Sequence, residues 1–227
     1  MLTASVLRYP DKVKIVTEGA ETVQTAGVPE VHAAGVTLSF VLNELGHMEV
    51  MVSAPSAAPK QVALRWQGTT APGVRVLADA WERSYGDLGF LPVIDNRSMP
   101  WYFVTSRGEQ TTGCGVMTRP RAFCFWLLDA RGVTLWLDVR NGGRGVRLGQ
   151  RQLHAATIVQ KEYQNLSSFE AARAFCSEMS QGAVFPQKPV YGSNNWYYAY
   201  GNSSQDEIVE DAKYVARLTE GLKNRPY

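Results

Sequence analysis

The segment FCFWLLDARGVTLWLDV, residues 123–139, constrains the fold more than any other part of this sequence. Two apolar runs flank a short connection at residues 129–132, whose glycine can adopt a positive φ, and this pattern predicts a β-hairpin. Phe123, Phe125 and Leu127 alternate with Cys124, Trp126 and Leu128, so both faces of the first strand are apolar. We therefore expect the hairpin to lie between two layers, as in a β-sandwich.

The same alternation recurs before and after the hairpin. Apolar residues repeat with a period of two at 36–42, 48–52, 62–66 and 154–158, and this period is typical of strands with one buried face. Residues 54–60, APSAAPK, interrupt the series, because two prolines cannot donate ladder hydrogen bonds in a central strand. Residues 1 to about 165 are therefore predicted to be all-β.

The hydrophobic period changes after residue 165. Ser167 and Glu170 have the spacing of a capping box, and apolar residues follow at helical intervals up to Met179. Gly182 and Pro186 are expected to end this helix. We predict a first domain over 1–182, a β-sandwich with a C-terminal connector helix, and a second unit over 183–227.

The second unit has the pattern of a strand followed by a helix. Residues 188–200, KPVYGSNNWYYAY, predict a buried strand running into an aromatic loop. Ser204 and Glu207 form another potential capping box, and an amphipathic helix is predicted from there to Leu222. A strand and a helix are half of a βαβ unit.

Composition excludes several classes of function. The net charge of +2 comes from 23 basic and 21 acidic residues without a basic run, which argues against nucleic-acid binding. No segment has the roughly 20 apolar residues of a membrane-spanning helix, so no membrane partner is expected. The three cysteines lack a CxxC spacing, and no signal-peptide pattern opens the sequence, so we predict reduced thiols in a cytoplasmic protein.

Candidate catalytic and metal-binding residues are sparse. His32, His47 and His154 are isolated from one another, and no metal or other cofactor is predicted. The glycines of residues 141–145 precede no Lys-Ser/Thr pair and no helix, so they are not a phosphate loop. Among the acidic residues no spacing points to a catalytic pair, and Asp138 is expected to pair with Arg140.

One loop is a candidate for sugar recognition. Asp95, Asn96 and Arg97 precede Trp101, and polar groups beside an aromatic ring suit a sugar, whose apolar face stacks while its hydroxyls form hydrogen bonds. The alternative is a turn leading into a strand, with Trp101 buried in the core.

A family resemblance is carried by two segments. The string PVYGSNNWYYAYGNSSQDEIVEDAKYVARL, residues 189–218, resembles the first strand, loop and helix of the α-galactosidase-like (melibiase-like) barrels of glycoside hydrolase families 27 and 36. Gly192, Asn194 and Trp196 match the Gly-Trp-Asn-x-Trp pattern of that strand, whereas Ser193 replaces its first Trp. Residues 91–149 look like the β-sandwich that precedes the family 36 barrel.

The resemblance implies a fold and a function. The fold would be an antiparallel β-sandwich of the supersandwich type, a connector helix and one βα unit of a truncated (β/α)8 barrel. The complete protein would hydrolyse O-glycosyl bonds of a galactoside or related sugar. Barrel active sites lie at the carboxyl ends of the strands, which makes Asn194, Asn195, Trp196 and Tyr197 candidate sugar-binding residues.

The resemblance also implies that this chain is inactive alone. In such enzymes the nucleophile and the acid/base carboxylate come from later strands, so no catalytic residue is assigned here. An unpaired barrel segment could also join two copies of the chain into a homo-oligomer. Two alternatives remain: a non-catalytic carbohydrate-binding or interaction sandwich, and the remnant of a truncated gene.

Overall fold

The computed structural model describes residues 4–82, 88–187 and 192–223. Its strands are β1 (Lys12–Thr17), β2 (Glu21–Thr25), β3 (Glu30–Ala33), β4 (Val36–Leu42), β5 (Met48–Ser53), β6 (Pro59–Gln67), β7 (Arg75–Ala78), β8 (Leu91–Pro92), β9 (Met99–Pro100), β10 (Tyr102–Arg107), β11 (Gln110–Val116), β12 (Phe123–Asp129), β13 (Gly132–Asp138) and β14 (Gln152–Gln164). The helices are α1 (Ser168–Met179), α2 (Trp196–Ala199), a 3₁₀ turn (Tyr200–Asn202) and α3 (Gln205–Leu218).

Within the described residues these strands form two antiparallel sheets, and the protein is mainly β, a β-sandwich. The six-stranded sheet has the order β2-β1-β6-β13-β12-β9. The eight-stranded sheet has the order β3-β4-β5-β14-β11-β10-β7-β8. The all-β prediction for the first 165 residues is therefore confirmed.

The period-two pattern places the core between the sheets. Leu38 and Phe40 of β4 and Trp126 of β12 are almost completely buried. The residues next to them in each strand point to the outer face and are only partly buried or exposed. Trp66 and Trp126 lie at the centre, with ring centroids 6.2 Å apart. Two buried cysteines, Cys114 and Cys124, also lie in this core as free thiols.

The hairpin of β12 and β13 differs from the expectation in one respect. Its turn is a two-residue connection in which Asp129 pairs with Gly132, and Gly132 has a positive φ of 141°. The inward face packs in the core, as predicted. The outward face is not buried beneath a second layer: Phe123 is 51% exposed and Phe125 is half-buried. Apolar character on both faces therefore does not mean burial on both faces here.

A helix covers part of the opposite sheet. α1 begins at the predicted capping box, in which Ser167 and Glu170 bond each other's backbone N–H groups. Its buried residues Phe175 and Met179 pack on Gly113 and Gly115 of β11. Two glycines in the strand leave the space that the large side chains of the helix fill, which fixes where α1 lies on the sheet.

The chain divides into two compact units, Met1–Gln181 and Gly182–Tyr227. In the second, residues 188–200 are predicted to be a buried strand running into an aromatic loop, and no strand is formed in the part of this range that the structure describes. Residues 188–191 lie outside the described residues, 192–195 are in neither helix nor strand, and Trp196–Ala199 is one helical turn. The physical reason is local: Asn194 accepts a hydrogen bond from the backbone of Trp196, which favours a turn over an extended strand.

The helix of the second unit forms as predicted at its start. Ser204 and Glu207 make a complete capping box, and α3 ends at Leu218, four residues before the expected Leu222. None of its residues is buried. In the described part of the chain, no helix is both long enough and apolar enough to cross a membrane.

Candidate functional site

The predicted sugar-binding residues of the second unit lie close together in a polar turn. Asn194 Oδ1 accepts from the backbone N–H of Trp196 at 2.8 Å, and Asn195 Nδ2 donates to Ser203 Oγ at 2.7 Å. Both amides thus hold the turn that starts α2. They keep spare donors and acceptors for a ligand, since an amide side chain has two N–H groups and two lone pairs.

Aromatic rings surround that turn and remain open to solvent. Trp196 is 56% and Tyr197 83% exposed, and the Trp196 ring meets that of Tyr200 edge-on at 5.8 Å. The hydroxyl of Tyr198 donates to Asp211 on α3, and this bond raises the pKa of Tyr198. The site is therefore a cluster of exposed rings anchored to the helix by one tyrosine.

Trp101 lies at a sharp corner between β9 and β10. Its φ of 66° is left-handed, which is uncommon for a residue with a side chain. Its N–H donates to Cys124 O in the six-stranded sheet at 3.1 Å, and its carbonyl accepts from Val116 N–H in the eight-stranded sheet at 3.1 Å. The backbone of Trp101 thus connects the two sheets, and its half-buried ring also packs on the core.

The ring of Trp101 belongs to a group of five aromatic side chains, which we name the aromatic face: Trp81, Trp101, Phe123, Phe125 and Trp136. Trp81 stacks on Phe123 with centroids 4.5 Å apart and planes 12° apart. Trp101 meets both of these rings edge-on, at 6.4 and 5.5 Å. Trp81 is 47% exposed, so the stack is open to solvent.

Strand register extends the aromatic face across the six-stranded sheet. Phe125 of β12 is the cross-strand partner of Trp136 of β13, and their rings are nearly parallel, 7° apart, with centroids separated by 6.0 Å. Trp136 is in turn opposite Ala63 of β6, which is opposite Lys14 of β1. The Lys14 ammonium lies 5.8 Å from the centroid of the Trp136 ring, within the range of a cation–π contact.

A groove of about 360 Å³ lies beside Trp136 on this surface. Its lining combines aliphatic, aromatic and polar side chains, among them Lys12, Lys14, Val23, Arg65, Asn96, Leu127, Thr134 and Trp136. Arg65 donates two hydrogen bonds to Asp129, at 2.7 and 2.8 Å, and a third to Thr134. This guanidinium lowers the pKa of Asp129.

A second ion pair lies at the other end of the same sheet face. Arg140 donates to Asp138 through Nε at 2.9 Å, and Gln61 donates to the same carboxylate at 2.9 Å. Burial raises the pKa of Asp138, but the bonds from Arg140 and Gln61 outweigh it and the pKa falls. Asp138 is thus an ionised acceptor, as the predicted pairing with Arg140 requires, and not a proton donor.

Two neighbouring residues of the loop that contains Asp95 line different cavities. Exposed Asp95 lines a separate cavity of about 410 Å³ with Gly73 and Pro92, whereas its neighbour Asn96 lines the groove beside Trp136. Trp101 lines neither cavity. The structure therefore joins Trp101 to the aromatic face, and Asn96 to the groove, but leaves Asp95 with a different set of neighbours.

The histidines lie apart from one another. His32 contacts Glu30 and Thr37, His47 lies 3.7 Å from Glu178, and His154 bonds Thr157. Among the residues that the structure describes, no group of three or more His, Cys, Asp or Glu side chains could hold a metal ion.

Comparison with known proteins does not assign this chain to a family. No family model matches the chain, and no curated protein matches it significantly. The fold and the site define a class only: an antiparallel β-sandwich with an aromatic outer face, followed by a unit with its own exposed aromatic turn.

Most of the aromatic face was missed by sequence analysis, which singled out Trp101 alone. The alternation of Phe123 and Phe125 in the sequence predicts burial beneath a second layer, and the structure shows both rings on the outer face instead. Trp81 lies 42 residues before Phe123, and only the folded chain brings the two rings into contact.

Proposed function

We propose that this chain is the N-terminal portion of a carbohydrate-active enzyme that resembles the α-galactosidases. In this proposal the β-sandwich is a supersandwich-type scaffold, and the second unit is the start of the catalytic (β/α)8 module. The supporting observation is an order of features: an antiparallel sandwich, a capped helix, then Gly192, Asn194 and Trp196, and after them the amphipathic helix α3.

The electrostatics of the sandwich fit a scaffold and not a catalytic centre. A retaining glycosidase needs two carboxylates about 5–5.5 Å apart, and its general acid must have a raised pKa. In the described part of the sandwich five carboxyl groups, Asp11, Glu18, Asp129, Asp138 and Glu170, have lowered pKa values, and hydrogen-bond partners cause each shift. Catalytic carboxylates would therefore belong to the module that the second unit begins.

Sugar recognition in this proposal belongs to the exposed turn of the second unit. Trp196 and Tyr197 present rings on which the apolar face of a pyranose stacks, and the amides of Asn194 and Asn195 bond its hydroxyls. The four residues are consecutive in the chain, so a sugar at this turn lies close to all of them.

Two measurements test the proposal on this chain. Saturation-transfer NMR with methyl α-galactoside should detect binding that Trp196→Ala and Asn194→Ala each weaken by about tenfold, as expected for one lost stacking or hydrogen-bonding contact. Phe169→Ala, which removes a 67% exposed ring from α1, is the matched control and should bind normally.

Turnover of an aryl α-galactoside that saturates and survives exhaustive purification would contradict the placement of the catalytic carboxylates outside this chain. Binding unaffected by both substitutions would contradict the sugar-binding turn.

A further inference from the structure

The outer face of the six-stranded sheet carries a feature that a scaffold does not need. Aromatic side chains lie on and beside β12 and β13, and three pairwise contacts connect four of them in series, Trp101 to Trp81, Trp81 to Phe125 and Phe125 to Trp136. Trp81 and Phe123 keep about half of their surface in water. Exposed apolar patches of this kind mark binding sites more often than chance, because water contact with them is unfavourable.

We infer that the aromatic face and the groove beside Trp136 form a binding site for a neutral oligosaccharide. This function goes beyond the one proposed above, because it uses a different surface and requires no catalytic carboxylate. The open face of Trp81 stacks on the apolar face of one sugar residue, and Trp136, whose ring lies between Phe125 and Lys14, contacts a second sugar residue through its edge beside the groove. Arg65, Asn96 and Thr134 bond hydroxyl groups from the groove.

The shape of the surface favours a sugar chain over a flat protein partner. A groove of about 360 Å³ falls within the range of small-ligand sites, roughly 300–1,000 Å³. The aromatic series continues from the groove past Phe125 to Trp81. The site is therefore longer than one pyranose ring, and the ligand has at least two.

Charge on this face favours a neutral ligand. Lys14 pairs with Glu21, Arg65 with Asp129, and Arg140 with Asp138, so most positive charges are already balanced. Lys12 has no ion pair in the described part of the chain, so its positive charge is not balanced by a neighbouring carboxylate. A single lysine is not the basic stripe that binds a nucleic acid or another polyanion.

The polar side chains keep hydrogen-bonding capacity for hydroxyl groups. Arg65 uses three N–H bonds on Asp129 and Thr134, and a guanidinium has five. The ion pair holds this guanidinium in place beside the groove, so little side-chain entropy is lost when a sugar binds. Asn96, whose backbone is left-handed with a φ of 61°, also lines the groove and offers an amide group.

The inference is tested by titrating the chain with raffinose, maltotriose and cellotriose while following the indole N–H signals by NMR. The chain has six tryptophans, and we expect the signals of Trp81 and Trp136 to shift while those of buried Trp66 and Trp126 stay unchanged. Trp136→Ala and Trp81→Ala should each weaken binding about tenfold, and Phe169→Ala should not. Affinity should change little between low and high salt, because the ligand is neutral.

Four outcomes overturn the inference. The first is that none of the three sugars binds at millimolar concentration. The second is binding that is lost in Trp196→Ala and retained in Trp136→Ala, which would assign the sugar to the second unit alone. The third is a dimer, seen by sedimentation, that Trp136→Ala dissociates, which would make a second copy of the chain the occupant of the face. The fourth is an affinity that falls steeply with salt, which would indicate an anionic partner.

Discussion

The indole N–H of Trp126 donates to the carbonyl oxygen of Trp101 at 3.0 Å. Trp126 is fully buried between the sheets, whereas Trp101 forms the left-handed corner that carries one ring of the aromatic face. The same carbonyl accepts from Val116, so two donors from different elements hold one strained residue. This bond connects the core to the proposed oligosaccharide site, because the position of the Trp101 ring depends on its backbone.

Trp126→Phe should destabilise the protein by about 2–4 kcal/mol. The loss combines the hydrogen bond, worth about 1 kcal/mol, with the cavity that the smaller ring leaves in the core. Trp136→Phe, a matched change on the outer face, should lower the free energy of unfolding by less than about 1 kcal/mol. Urea unfolding followed by circular dichroism measures both. Equal losses in the two variants would show that the hydrogen bond from Trp126 to Trp101 contributes no measurable free energy of unfolding.

Gly113→Ala should loosen α1 from the eight-stranded sheet. A methyl group at this position would overlap three ring carbons of Phe175, so either the ring or the helix must move. Overpacking of this kind lowers the free energy of unfolding by about 1–3 kcal/mol. Gly19→Ala is the control, since nothing lies within 4 Å of its added methyl and its φ is not left-handed.

A double-mutant cycle tests whether the loss of stability in Gly113→Ala comes from its contact with Phe175. If overlap with Phe175 is the cause, Phe175→Leu should remove most of the penalty of Gly113→Ala, with a coupling energy of about 0.5–3 kcal/mol. Additive losses would show that Gly113 acts through the strand and not through its contact with the helix.

The capping boxes of α1 and α3 and the inward residues of the strands follow from the sequence, because each depends on neighbours three or four residues apart or on a period of two. The aromatic face depends instead on register between β12 and β13 and on Trp81, far away along the chain. The conformation of residues 192–199 was not predicted either. Their aromatic composition favours a strand, but the hydrogen bond that Asn194 accepts from Trp196 favours a turn.

Asp129→Asn should reduce stability at neutral pH and have no effect in acid. The Arg65 guanidinium lowers the pKa of Asp129, so this carboxylate stabilises the fold above its unfolded pKa of about 3.9. That contribution disappears as the pH falls through the lower folded pKa, where both states bind the proton. Because Asp129 is 38% exposed, solvent screening limits the effect to less than about 1 kcal/mol. Unfolding free energies of the two proteins should converge once the pH is below the folded pKa of Asp129, and a difference that persists there would exclude the ion pair as its cause.

Amide hydrogens of α3 should exchange faster than those of the sandwich strands. The helix has a complete capping box, but none of its residues is buried, and Ile208 and Leu218 on it are 50% and 64% exposed. An isolated helix of 14 residues is marginal in water, so tertiary burial is what would slow its opening. Strand β14, central in its sheet, should approach the exchange limit set by global unfolding.

Exchange measured at two protein concentrations separates the possible partners of α3. Fast exchange at both concentrations indicates a helix that opens locally, and protection that grows with concentration indicates the homo-oligomer predicted for this segment. Protection equal to that of β14 in a proven monomer would contradict both, and would show that the second unit is stable as it stands.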